Sequence, residues 1–220
     1  MNEKSGSPTG ARLTAMYRLL FDHFGPQGWW PAETPFEMMA GAVLTQNTNW
    51  ENVKKALGNL EREGLLDPAG LHAVGTDALA LAIRPAGYYN VKARRLKNLV
   101  RLIVERYGGD VSAMLGEGPG DLRDALLGVN GIGPETADSI ALYAAGHPVF
   151  VVDAYTHRIL SRHQLVDEEA SYDELQATFS DALPEDVGLF REFHALIVTA
   201  GKTYCRKRPL CERCPLQGSA

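Results

Sequence analysis

The amino-acid sequence predicts an all-α fold, and three observations support this prediction. Apolar residues recur with the spacing of a helix face over residues 12–24 and in most later segments. Glycine and proline separate these segments at short intervals, as expected for short connections between helices. No stretch of useful length alternates apolar and polar residues, the pattern of a half-buried strand. A chain of 220 residues can form one large domain or two small ones.

The predicted elements follow from these patterns in chain order. A first helix over 12–24 ends at Gly25-Pro26. Residues 35–44 are apolar on every side, which predicts a buried helix, and polarity then changes abruptly at Thr45-Gln46-Asn47-Thr48-Asn49. The apolar run 149–152 is too short to choose between strand and loop. Further helices are predicted at 50–64, 67–73, 76–83, 88–107, 121–128, 134–145, 154–164, 171–182 and 187–201.

Charge and hydropathy limit the functional classes. No run of about 18 apolar residues predicts a transmembrane helix, and the polar first ten residues do not resemble a secretory signal, so we expect a cytoplasmic protein. The net charge of −5 has the wrong sign for a nucleic-acid binder, but salt screens each charge within about 10 Å, so local clusters matter more. Two basic groups stand out: Lys92, Arg94, Arg95 and Lys97, which could equally be a solvated helix face, and Lys202, Arg206, Lys207, Arg208 and Arg213.

A tight turn at Gly131-Ile132-Gly133 precedes a helix that begins at Pro134. Two glycines separated by one residue allow positive φ and a close approach of the backbone to a ligand. Proline suits the first helical position because its missing N–H costs nothing there. The turn therefore presents amides at a helix N-terminus, where an anion such as a phosphate binds favourably. Two helices joined in this way are typical of a helix-hairpin-helix, which grips DNA backbone without reading sequence.

Asp153 follows the apolar run Phe150-Val151-Val152 and precedes the next predicted helix. Its ordinary role there is a helix N-cap. Catalysis is compatible with that role, because a carboxylate that accepts backbone amides is held in its ionised form. Such a group can activate water and stabilise the positive sugar that forms as a glycosidic bond breaks.

Together, Gly131 to Ala137, Val152-Asp153, Leu44-Thr45-Gln46 and the C-terminal cysteines resemble the endonuclease III family of DNA glycosylases. The similarity runs from about residue 12 to the end of the sequence. It implies two helical domains with DNA in the cleft between them. We expect a six-helix domain over 27–147, which carries the hairpin, and a second domain formed by 1–26 and 148–220. The implied partner is double-stranded DNA that contains a damaged base, bound by a monomer.

Glu135 narrows the expected chemistry. Bifunctional members of the resembled family have a lysine at this position, whose amine forms a Schiff base with the sugar, and glutamate cannot form an imine. The sequence therefore resembles the monofunctional branch, and Gly133 to Asp138 is similar to the 3-methyladenine glycosylases within it. An N-alkylated purine is the implied substrate. Glu135 is either a favourable acid in the first helical turn or a catalytic partner of Asp153.

The resemblance also implies a set of DNA contacts. Gln46 occupies the position of a residue that inserts into the duplex when the target base leaves the stack, although a polar helix end is an equal alternative. The remaining expected contacts are Asn47, Gly131, Ile132, Gly133, Thr136, Lys207 and Arg208. Carbonyl groups of the hairpin turn could hold a monovalent cation, as in the resembled family.

Cys205, Cys211 and Cys214 lie within the last sixteen residues, a grouping that suggests a metal or cluster site. The resembled family holds a 4Fe–4S cluster with four cysteines there. The fourth would fall near residue 220, where this sequence has Ala220. Three alternatives stay open for this site: a cluster held by three thiolates, a zinc site with three cysteines and a histidine, or no metal at all.

Two functions other than a monofunctional glycosylase are also compatible with the sequence. One is a glycosylase with abasic-site lyase activity that uses another amine, for example Lys202. The other is a DNA-lesion binder without catalysis, against which the presence of Asp153 argues.

Overall fold

The computed structural model describes residues 7–218, and no β-strand occurs within that range. This confirms the all-α prediction. Twelve α-helices form in the described part of the chain: α1 Pro8–Phe24, α2 Pro35–Thr45, α3 Trp50–Arg62, α4 Pro68–Ala73, α5 Thr76–Ala82, α6 Tyr89–Tyr107, α7 Val111–Leu115, α8 Pro119–Leu127, α9 Pro134–Ser139, α10 Ala154–Arg162, α11 Tyr172–Ser180 and α12 Val187–Thr203. None of these helices is long and apolar enough to cross a membrane.

Local sequence explains where most of these helices begin. Five start with proline at the first helical positions, where the missing N–H has no partner to lose. Others begin after a side chain that accepts an amide of the first turn, as Asn49 does for α3 and Ser171 does for α11. Ser171 and Glu174 form a reciprocal capping box. Gly108 ends α6 in the left-handed conformation that glycine adopts without strain.

The chain divides into two compact units, of which one is Trp30–His147. Its helix α2 is buried on nearly every side, as its apolar sequence predicts. The Trp30 ring packs edge-on to Trp50 at a centroid distance of 5.3 Å and lies 5.6 Å from Tyr143. Helix α6 packs against α2, α4 and α5, so it forms the long central support of this unit.

The other unit contains the chain up to Trp29 and from Pro148 onward. Its core is aromatic: Phe150 stacks on Phe179 with ring centroids 3.6 Å apart, and Phe190 and Phe193 meet Phe150 edge-on. Residues 149–152 form neither helix nor strand. They are a loop whose apolar side chains Phe150, Val151 and Val152 are buried, and this loop leads directly to Asp153.

Two local features differ from the sequence interpretation. Helix α7 is only five residues long and follows Asp110, whose carboxylate caps two amides, and its shortness leaves no apolar period to recognise. The predicted helix 134–145 changes at Ile140 from α-helix to a π-helical segment, Ile140–Ala145, which ends at Gly146 in the left-handed conformation. Short π segments of this kind have no simple signature in side-chain spacing.

Candidate active site

The turn between α8 and α9 has the geometry that its glycines predict. Gly131 has a φ of +98°, a value that residues with a side chain rarely adopt. The amide of Ile132 donates to the carbonyl of Val129 at 3.0 Å, and the Ile132 side chain is buried, so the turn is anchored to the core. Gly133 precedes α9 and provides no side-chain cap. Its amide and that of Gly131 donate no hydrogen bond within residues 7–218.

An ion pair, of which only the acid is fully buried, joins the two hairpin helices. Arg123 of α8 donates through Nε to Oδ1 of Asp138 on α9 at 2.8 Å, and Asp138 is fully buried. Loss of Arg123 would leave the buried charge of Asp138 uncompensated, and breaking a buried pair in this way typically costs about 3–5 kcal/mol. The sequence analysis did not identify this pair, because fifteen positions separate the two residues and nothing in the local pattern joins them.

Gln46 lies at the end of α2, and its amide group is held against the hairpin. Its Nε2 donates to Thr136 Oγ1 at 2.9 Å and to the carbonyl of Gly131 at 3.2 Å, while its Oε1 accepts from the guanidinium of Arg95. Three of the predicted DNA contacts, Gln46, Gly131 and Thr136, are therefore brought together. Arg95 is the member of this network that the sequence interpretation did not include in the site.

Two further predicted residues are exposed at the edges of this region. Asn47 has a φ of +54°, a left-handed conformation that asparagine tolerates better than most residues. Glu135 lies in the first turn of α9 with an exposed side chain, where an acid interacts favourably with the helix dipole.

Asp153 caps α10 through one carboxylate oxygen. Oδ1 accepts hydrogen bonds from the amides of Tyr155 at 2.9 Å and Thr156 at 2.7 Å, and from Thr156 Oγ1 at 2.9 Å. The other oxygen, Oδ2, faces Nε2 of His194 on α12 at 3.9 Å, too far for a direct hydrogen bond. The Asp153 side chain is 12% exposed, so it is held rigidly but is not sealed from solvent.

Two basic side chains of α12 flank this carboxylate. Burial lowers the pKa of His194, and the charge of Asp153 opposes this shift only in part. Burial also lowers the pKa of Lys202, again against the Asp153 charge. The Lys202 ammonium lies 5.6 Å from the centre of the Trp29 ring and 6.0 Å from that of Tyr155. Lys202 therefore has an environment that favours its neutral amine more than water does.

A close backbone approach positions the first turn of α10 against α12. A Cβ atom added at Gly201 would lie 2.4 Å from Cδ1 of Tyr155 and 2.8 Å from its Cβ, which is shorter than real contacts allow. The absence of a side chain at Gly201 thus lets the ring of Tyr155 lie directly on the α12 backbone. Arg158 reinforces the approach by donating to the carbonyl groups of Cys205 and Gly201 at 2.6 Å and 3.3 Å.

The three cysteines line one cavity of about 220 Å³ at the end of the chain. Arg162 donates to Sγ of Cys205 at 3.3 Å. Burial raises the pKa of the Cys214 thiol, and charge on Cys205 or Cys211 would raise it further. Even so, no group of three His, Cys, Asp or Glu side chains within 7–218 is arranged to hold a metal ion. Ala220, the expected position of a fourth ligand, is outside the described residues.

Lys207 and Arg208 are exposed in the loop that follows α12. The short 3₁₀ helix Cys211–Arg213 comes directly after this loop. The carbonyl of Arg206 accepts from Arg162 at 2.8 Å, which fixes the start of the loop and leaves the next two side chains in solvent.

Comparison with known proteins agrees with this geometry. Residues 40–185 match the family model of the HhH-GPD superfamily base excision DNA repair proteins. A Methanocaldococcus jannaschii protein, named as a candidate DNA repair glycosylase, is 49% identical over 92% of both chains. Endonuclease III of Thermotoga maritima is 32% identical over 83% of this chain and 81% of its own. The chain belongs to the HhH-GPD superfamily, so the predicted endonuclease III-like DNA glycosylase of base excision repair is confirmed.

Solved structures of two glycosylases are similar to most of this chain. The H. pylori 3-methyladenine DNA glycosylase bound to 1,N6-ethenoadenine has a TM-score of 0.75 and 32% identity, covering 88% of this chain and 97% of that one. A trapped covalent endonuclease III–DNA intermediate has a TM-score of 0.78 and 25% identity, with 93% of each chain covered. These neighbours support DNA as the substrate of this protein.

Proposed function

We propose that this protein is a monofunctional DNA glycosylase that removes an N-alkylated purine from double-stranded DNA. The observation that carries the proposal is the carboxylate of Asp153: Oδ1 is fixed by three hydrogen bonds, Oδ2 lies 3.9 Å from Nε2 of His194, and the side chain is 12% exposed. Glu135 in place of a lysine supports hydrolysis over Schiff-base chemistry. The similarity to a 3-methyladenine glycosylase supports an alkylated purine as the base.

In the proposed reaction, the bond between C1′ and the purine nitrogen breaks, and its electron pair leaves with the base. An N-alkylated purine is already cationic, so it departs as a neutral molecule and needs no strong general acid. Oδ2 of Asp153 stabilises the positive charge that develops on the sugar and accepts a proton from the water that adds to C1′. The product is a neutral base and an abasic sugar in an uncut strand.

The backbone contacts are proposed as the family likeness suggests. The turn Gly131-Ile132-Gly133 would bind a phosphate, which the two amides without an internal acceptor support. Its carbonyl groups would hold a monovalent cation, and Thr136, Asn47, Lys207 and Arg208 would contact the strand. Gln46 would enter the duplex beside the extruded base, which requires it to leave its hydrogen bonds with Thr136 and Gly131. We propose a monomer as the active form.

The decisive experiment incubates excess protein with duplexes that each contain one alkylated base, and compares samples with and without hot alkali. Strand breaks that need alkali show base release without lyase activity. Asp153→Asn keeps the capping geometry and should slow single-turnover release by about 10²- to 10⁴-fold, the usual contribution of a general base. Full activity of Asp153→Asn would remove this residue from the chemistry.

Abasic-site lyase activity through Lys202 is the second candidate, because burial lowers the pKa of this amine beside Asp153. The amine would condense with the C1′ aldehyde of the opened sugar and lose water to form an imine. Loss of a C2′ proton would then expel the 3′ phosphate. Borohydride reduction in the presence of abasic DNA would trap the imine as a covalent adduct, and Lys202→Met should abolish that adduct. If the wild type forms no adduct, the lyase candidate is excluded and only the hydrolytic mechanism is retained.

We also propose that Cys205, Cys211 and Cys214 hold an iron–sulfur cluster, which the cavity that they share supports. A bound cluster would stabilise the loop of Lys207 and Arg208, and no step of base release is assigned to it. Protein purified without oxygen should show visible charge-transfer absorbance and about four irons per chain. A colourless protein with one zinc per chain would indicate the alternative site, and neither metal would exclude both.

A further inference from the structure

The basic group on α6 separates into two kinds of residue. Lys92 is buried, and its ammonium donates to the carbonyl groups of Leu44 and Ala86 at 2.9 Å and 2.8 Å. The ammonium of Lys97 donates to three carbonyl groups at the end of α4, including Leu71 at 2.8 Å. Both lysines therefore hold the fold together, and their charges are not offered to a partner.

The arginines of the same helix behave differently. Arg94, Arg95 and Arg101 line a cavity of about 370 Å³ together with Asn130 and Gly131 of the hairpin turn. Arg94 and Arg101 are exposed, and neither forms an ion pair with any residue of the described chain. We refer to Arg94, Arg95 and Arg101 as the arginine face.

The arginine face is fixed in place against the phosphate-binding turn. A Cβ atom at Gly131 would lie 2.4 Å from Cγ of Arg95, so the arginine stem rests directly on the turn. Asn98 donates to the carbonyl of Asn130 at 3.0 Å, which ties the middle of α6 to the same loop. The guanidinium of Arg95 meets a neutral amide oxygen of Gln46, so no carboxylate neutralises its charge there.

From this arrangement we infer that the arginine face binds DNA phosphates next to the one held by the turn, so that the backbone grip extends from the hairpin along α6. The inference rests on the proposed function, and it adds to it a second group of contacts made by side-chain charges. A guanidinium suits this role because it stays charged and presents several donors to phosphate oxygens. The whole chain is acidic, so a local positive surface of this kind is unusual in it. Salt screens this surface from distant acidic residues, so its positive charge can still act on a phosphate.

The test measures binding to an undamaged duplex over a range of salt concentrations with the full-length protein. The double variant Arg94→Gln/Arg101→Gln should reduce the slope of log K against log salt by about 0.9 for each lost phosphate, thus by about 1–2 in total. Arg95 is left unchanged because it also positions Gln46. The control is Arg18→Gln/Arg62→Gln, which removes two exposed charges elsewhere and should leave the slope as in the wild type.

A charge-preserving variant, Arg94→Lys/Arg101→Lys, should keep most of the slope and shows that the loss is electrostatic. Equal slopes for the glutamine variant and the control would overturn the inference. Failure of the wild type to release any base would contradict the proposed function, while the salt slope would still decide on the arginine face.

Discussion

At the scale of single residues, the carboxylate of Asp153 caps a helix and is also the group to which the proposed function assigns the chemistry. Oδ1 accepts three hydrogen bonds of the first turn of α10, whereas Oδ2 has none of these donors. The cap fixes the direction of the second oxygen without occupying it. A side chain with this division of roles is preorganised, because its position costs nothing further when substrate binds.

Glu135 provides the matching prediction. Its exposed side chain lies in the first turn of α9, where an acid contributes about 0.3–1 kcal/mol to helix stability. We expect Glu135→Gln to lose no more than that stability and to keep base release within about two-fold, in contrast to Asp153→Asn. Single-turnover rates and urea midpoints of the two variants measure this. A hundred-fold slower Glu135→Gln would instead make Glu135 a partner in the reaction.

At the scale of elements, the contact between α10 and α12 depends on the missing side chain at Gly201. Gly201→Ala would place a methyl group 2.4 Å from the ring of Tyr155, so α10 or the ring must move. We expect a loss of about 1–3 kcal/mol in the free energy of unfolding. Base release should slow as well, because a displacement of about 1 Å near a reacting group can cost about 10²-fold.

Gly58→Ala is the control for this substitution, because an added Cβ there meets no atom within 4 Å and the residue lies inside α3. Alanine is favoured over glycine in a helix by about 0.5–1 kcal/mol, so this variant should be slightly more stable and equally active. If Gly201→Ala behaved like Gly58→Ala in urea unfolding and in rate, close packing at Tyr155 would not position the site.

Helix positions could be predicted from sequence to the extent that they depend on local signals. Pro35 and Pro134 each begin a helix as the first-position preference predicts, and the hairpin turn follows from Gly131 and Gly133. Contacts between segments distant in sequence could not be predicted in this way. The bond between Arg95 and Gln46 joins residues 49 positions apart, and no periodicity records such a pairing.

The same limit applies to the environment of Asp153. Its cap on α10 follows from local sequence, because aspartate before an apolar helix is a common N-cap. The approach of His194 does not, since it requires α12 to pack against α10. Within α12 this histidine is one polar residue in an apolar run. From sequence alone it would be assigned to the core and not to the surroundings of Asp153.

At the scale of the whole molecule, buried ionisable groups make stability depend on pH. Burial lowers the pKa of His194 below its ordinary value of 6.5. Between the two values, the unfolded chain is protonated and the folded protein is not, so the free energy of unfolding decreases as pH falls below about 6.5. The slope approaches about 1.4 kcal/mol per pH unit for one proton.

Urea unfolding of His194→Gln between pH 7.5 and 5 should show a shallower decline than the wild type, because the variant has one proton fewer to take up on unfolding. Burial also lowers the pKa of His163, so this residue should preserve part of the decline in the free energy of unfolding in the variant. The control His72→Gln changes an exposed side chain of α4 and should leave the slope unaltered. A His194→Gln slope equal to that of the wild type would contradict the assigned protonation.

The alkaline side of the pH profile depends on Lys92, which is only 1% exposed and has a pKa lowered by burial to about 8. Above pH 8 the folded protein loses this proton while the unfolded chain keeps it up to its ordinary value of 10.5, so the free energy of unfolding should rise with pH across that interval. Lys92→Met should make the rise shallower but not abolish it, because burial also lowers the pKa of Lys97 and Lys202. Lys54→Met, which changes an exposed lysine paired with Glu51, should retain the full rise. A rise as steep in Lys92→Met as in the wild type, measured by urea unfolding at several pH values, would assign it to other groups.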